Sequence, residues 1–104
     1  MSQLTEEERE KLEETLWDWF DKGQPVNHKL GVRSYLIGRM VDDGFVPVPN
    51  LQIGMKPLGG RQIIVMAAHN KTHVRLYFIA HVERGPTNPE IYITERRKPD
   101  EVNG

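Results

Sequence analysis

From His73 to Arg84, apolar and polar residues alternate almost without a break. Val74, Leu76, Phe78, Ala80 and Val82 fall on one side, and His73, Arg75, Tyr77, His81 and Glu83 on the other. Successive side chains of a strand point to opposite faces, so the stretch reads as a strand over about 73–84 that buries one face and shows the other to water. Just upstream, Ile63 to Ala68 is apolar at every position, the mark of a strand over about 62–69 covered from both sides. Asn70-Lys71-Thr72 reads as a three-residue loop between the two, which sets His69 opposite His73, Ala67 opposite Arg75 and Val65 opposite Tyr77. Beyond the turn residues Gly85-Pro86-Thr87-Asn88-Pro89, a second alternating segment predicts a strand over about 90–97. Pairing Val82 with Ile91 and Ala80 with Ile93 extends the apolar face, and then His81 faces Tyr92 and Tyr77 faces Arg96.

The N-terminal half carries a different period. Thr5 followed three residues later by Glu8 is a capping box, and Glu6, Glu7 and Glu8 sit where a helix N-terminus carries partial positive charge. Leu12, Leu16, Trp19 and Phe20 then trace an apolar stripe that Lys22-Gly23 and Pro25 end, so a helix is predicted over about 5–22. Trp17 lies off that stripe, as the rim of a core or as an exposed aromatic anchor of the kind interfaces favour. Val32, Leu36, Ile37, Met40 and Val41 repeat the helical spacing up to Gly44, which predicts a second helix over about 29–43.

Residues 45–60 interleave Pro47, Pro49 and Pro57 with apolar residues and glycines. Proline cannot donate to a sheet ladder, so the segment reads as a Pro/Gly-rich connection with at most an edge strand near 45–48 and a short strand at 51–53. Residues 98–104 form a polar tail. With no repeat, low-complexity tract or internal boundary, the expectation is a single domain over 1–104. Its class is α+β, with two N-terminal helices packed on one face of a three- to four-stranded antiparallel meander.

Composition narrows the chemistry. There is no cysteine, which removes thiol reactions and thiolate metal sites. No stretch approaches the ~18 apolar residues of a membrane span, and the acidic start is unlike a secretory signal, so the expected setting is cytoplasmic and away from membranes. The net charge of −1 hides an asymmetry: residues 1–22 hold eight acids and three bases, and residues 23–104 hold seven acids and eleven bases. That balance lacks the basic excess of a committed nucleic-acid binder. His73 and His81 are eight residues apart on one strand, roughly 26 Å at ~3.3 Å per residue, too far to share an ion or to act as one acid–base pair. No phosphate loop, nucleophile elbow or paired catalytic carboxylates occur. A winged helix-turn-helix would need a third helix. No catalytic residue, cofactor or metal is therefore assigned.

The expected register gathers His73, Arg75, Tyr77, Ile79, His81, Tyr92 and Arg96 on a sheet face open to water. Such a mixture of Tyr, Arg and apolar groups suits a protein partner or a second copy of the chain. The expected function is a small non-enzymatic protein-binding module, a regulator or inhibitor of a larger assembly, with Trp17 as an accessory anchor. The alternative is an RNA-binding protein or small RNase, its tyrosines stacking on bases and its arginines meeting phosphates.

Overall fold

The computed structural model describes residues 4–23, 32–58, 61–80 and 90–99, apart from the side chains of 32–33 and 49–58. Helix α1 runs Glu6–Lys22 and α2 Val32–Asp42; strands β1 Val46–Leu58, β2 Arg61–His69, β3 His73–Ala80 and β4 Ile91–Arg97 follow. The strands pair antiparallel in chain order. The fold is α+β, with both helices ahead of an open antiparallel sheet.

The local signals account for the helix ends. The Thr5 hydroxyl accepts from the Glu8 N–H, and the Glu8 carboxylate accepts from the Thr5 N–H, each at 3.1 Å. At the other end Gly23 takes φ 62°, a left-handed conformation that suits glycine, and donates back to Phe20.

The helices do not share a face, as the sequence suggested, but flank the sheet from opposite sides. Leu12, Leu16 and Trp17 of α1 pack on Ile63, Val65, Ala67, Leu76 and Phe78. Leu36 and Met40 of α2, with Phe45, pack on Ile64, Met66, Ala68, Tyr77 and Ile79. The physical reason lies in β2 and β3, which present apolar side chains at successive positions and so need cover on both faces. Each fully buried Leu, Ile or Phe contributes about 1.5–3 kcal/mol, so neither face can be left in water.

Strand registers differ from the expectation by odd numbers of residues, which exchanges the faces of whole strands. At the β2–β3 turn the Asn70 side-chain oxygen accepts from the Thr72 and His73 N–H groups at 2.9 and 2.7 Å, and the Asn70 N–H donates to the His73 carbonyl. Asn70 thus caps the turn with its side chain while its N–H continues the ladder just past β2, and the loop shortens to Lys71-Thr72. His69 then pairs with Val74, Ala68 with Arg75 and Met66 with Tyr77. Across β3 and β4 the pairs are Tyr77 with Ile93, Phe78 with Tyr92 and Ile79 with Ile91.

Strand β1 runs through most of the expected connection and is longer than the short strands expected at 45–48 and 51–53. Its register with β2 shifts between Pro47 and Gln52 and again between Met55 and Leu58, so Pro49 and Pro57 fall in the irregular stretches. As an edge strand β1 tolerates them. The expected strand residues 81–84, the start of helix two at 29–31 and the tail from 100 lie outside the described residues.

Candidate functional site

On the α2 side, the loop after α2 meets β3 and β4 through a polar cluster. The Tyr77 hydroxyl donates to Asp43 Oδ2 at 2.9 Å and accepts from Arg75 Nη1 at 3.0 Å. Arg75 Nε reaches Glu95 at 2.7 Å, Arg39 Nε reaches Asp43 at 3.3 Å, and the Arg75 guanidinium lies 4.3 Å from the Phe45 ring centroid. Burial pushes the Tyr77 hydroxyl pKa above its ordinary 10.0 because the phenolate would be poorly solvated. The Arg75 hydrogen bond holds the Glu95 carboxyl below its ordinary value. An acid past the end of a helix opposes the helix dipole unless cations attend it. Asp43 has two arginines and a phenol.

On the α1 side, the Trp17 indole N–H donates to Thr94 Oγ1 at 3.2 Å. The Arg96 guanidinium stacks 4.2 Å from the Trp17 ring while pairing with Asp21 at 3.2 Å. Arg9 lies over Tyr92, pairs with Glu13 and donates to the Ile93 carbonyl at 3.0 Å.

Among the described residues two grooves border β4, one on each side of the sheet. The first, of about 400 Å³, is lined by Ser34, Tyr35, Gly38, Arg39, Asp42 and Ile91. The second, of about 390 Å³, is lined by Glu10, Glu13, Glu14, Trp17, Thr94 and Arg96. Tyr35 is 42% exposed, and Val41 and Val46 are exposed where α2 turns into β1.

The expected open face is therefore not present in that form. Tyr77 and Ile79 are buried beneath α2, because the real register and the second helix cover the face they share. Arg75 is on that side, engaged by Glu95 and Asp43; His73 is half-buried at its end, with Nδ1 2.8 Å from the Thr72 hydroxyl. Tyr92 and Arg96 belong to the opposite side, with Tyr92 stacked on Phe78 at 5.3 Å between centroids. Trp17 is a buried core residue whose polar edge reaches Thr94, not an exposed anchor. His81 lies outside the described residues. The sequence reading missed Tyr35, Arg39, Asp42, Asp43 and the Glu10, Glu13, Glu14 flank; the Asp42-Asp43 pair at a helix C-terminus was the available signal.

Among the described residues no three His, Asp or Glu stand close enough to hold a metal ion, and no helix is long and apolar enough to cross a membrane. No family model, curated protein or solved structure matches this chain.

Proposed function

We propose that this chain is a non-enzymatic, cofactor-free protein-binding module acting in the cytoplasm as a regulator or inhibitor of a larger assembly, and that it engages its partner along the β4 side. The observation that carries this reading is that both grooves converge there, one with an exposed tyrosine beside Arg39 and Ile91, the other with carboxylates beside Trp17. Aromatic and arginine side chains around a concave surface are the composition that interface hot spots favour.

RNA binding draws less support from the same geometry. Arg9, Arg39, Arg61, Arg75 and Arg96 each pair with a carboxylate, and Tyr77 is buried. Among the described residues, these arginines and Tyr77 are already engaged and so are less available to phosphates and bases.

The test is a photo-crosslinking amino acid at position 35, with position 71 on the distant turn as control, in cells that express the chain, together with light scattering of the purified protein. A discrete crosslinked protein at 35 but not 71, or a dimer that crosslinks through 35, is the expected result. A monomer that crosslinks to nothing from 35 refutes the reading.

A further inference from the structure

Among the described residues β4 is the last strand of the sheet, and its hydrogen-bond phase is fixed by one bond. Lys98 N–H donates to the Thr72 carbonyl at 2.8 Å, in register with the pairs along β3 and β4. Antiparallel pairs alternate between hydrogen-bonded and non-bonded. Thr72 and Lys98 being bonded, Leu76 and Thr94, and Phe78 and Tyr92, are bonded too. The backbone N–H and C=O groups of Ile91, Ile93, Glu95 and Arg97 therefore point away from β3, toward the outer edge. The Arg9 bond to the Ile93 carbonyl agrees with that phase, since Arg9 reaches that carbonyl from outside the β3–β4 ladder.

The two sheet edges are unlike. β1 carries Pro47, Pro49 and Pro57 and two register shifts, devices that discourage pairing with another strand. β4 contains no proline and no register shift. A row of outward amides on a regular edge is a template for one more strand.

The flanking grooves give that strand a side-chain pattern. Residues of an added strand alternate between the two faces. One set would enter the groove of Tyr35, Gly38 and Ile91, where Gly38 leaves open space above the helix. The other set would enter the groove of Glu10, Glu13 and Glu14 against Trp17. Arg96 already rests its guanidinium on Trp17 within that second groove, so the indole face accepts a cation in this setting.

We infer that β4 is a strand-addition site for an extended peptide segment in which cationic residues alternate with apolar ones, paired antiparallel to β4. The inference rests on the protein-binding reading and specifies its partner. The cations meet the acidic groove of α1, the apolar residues enter the groove of α2, and a peptide N–H replaces Arg9 at the Ile93 carbonyl. In this arrangement the apolar residues lie opposite Ile91, Ile93 and Glu95 as hydrogen-bonded pairs, so their N–H groups face β4.

The probe is an end-capped, fluorescently labelled heptapeptide alternating lysine and valine, read by anisotropy against the full chain. Methylating the valine nitrogens removes the donors that face β4, and methylating the lysine nitrogens removes those that face solvent, at equal charge and without touching the protein. The expected result is at least a tenfold loss with N-methylvaline, about 1.4 kcal/mol or more, and less than about a twofold change with N-methyllysine. Glu10→Gln with Glu14→Gln, both at exposed positions, is expected to weaken the parent peptide several-fold at low salt. Equal losses for the two methylated peptides, the reverse order, or no binding of the parent overturn the inference. Crosslinking from position 35 alongside any of those outcomes leaves the protein-binding reading standing; a monomer that neither crosslinks from 35 nor binds the parent peptide removes both.

Discussion

Replacing Tyr77 by Phe removes one oxygen and leaves the ring in place, so it isolates the polar tie between the loop after α2 and the sheet. Tyr77 is fully buried. Its hydroxyl donates to Asp43 at 2.9 Å and accepts from Arg75 at 3.0 Å. A hydrogen bond to a charged group contributes about 1.5–3 kcal/mol. The loss should fall toward the lower end, about 1–2 kcal/mol, because Asp43 keeps Arg39 and Arg75, and Arg75 keeps Glu95. For a domain of this size that corresponds to roughly 5–15 °C in Tm. Chemical denaturation followed by circular dichroism should show a lower midpoint with an unchanged slope, since the buried surface is the same. An alkaline series adds a second reading. The folded-state pKa of Tyr77 is raised by burial, so the stability linked to its neutral form is complete below the ordinary 10.0 and is lost as pH rises through the higher folded value. The Phe variant lacks that alkaline loss. A variant as stable as the parent, with the same alkaline decline, would refute the account of Tyr77 as a buried tie.

Trp17→Phe keeps most of the apolar packing but loses the bond to Thr94 and the larger face under Arg96; denaturation should register a loss of about 1–3 kcal/mol. Glu95→Gln tests the acid limb. The carboxyl pKa is lowered by Arg75, so its contribution is present above the ordinary carboxylate value and lost as pH falls through the lowered folded value. With 43% of its side chain exposed, the effect should stay below about 1 kcal/mol, and the Gln variant should show a flatter acid-side stability profile. Gly38→Ala should stabilise by about 0.5–1 kcal/mol, because a methyl group there meets nothing within 4 Å and alanine favours the helix; a lower Tm would contradict the open space described above α2.

The helix ends were legible because their determinants are local: Thr5 and Glu8 lie three residues apart, and Gly23 closes the same helix. The apolar run of β2 already implied cover on both faces, and the two helices supply it. Register was less legible. β3 buries Tyr77 and Ile79 on one side and Leu76 and Phe78 on the other, so a one-residue slip carries little hydrophobic cost and the alternation cannot select between the two. What selects is the Asn70 side chain, whose bonds to Thr72 and His73 shorten the turn. The same ambiguity decides the site: alternation alone puts Tyr92 and Arg96 with Tyr77 on one face, whereas the observed β3–β4 register, three residues away from the expected one, assigns them to Trp17 on the other.

Among the described residues the sheet divides the apolar interior into two clusters, one on each face. A helix of only a few turns is marginal on its own in water, so the backbone amides of Val32–Asp42 are protected only while Leu36 and Met40 remain docked. Native-state hydrogen exchange would then divide into two classes, one for α2 that opens at modest free energy and one for α1 with the central strands that opens only with the whole chain. Tyr77 and Ile79 emerge in the first of these openings, whereas Leu76 and Phe78 emerge only in the second.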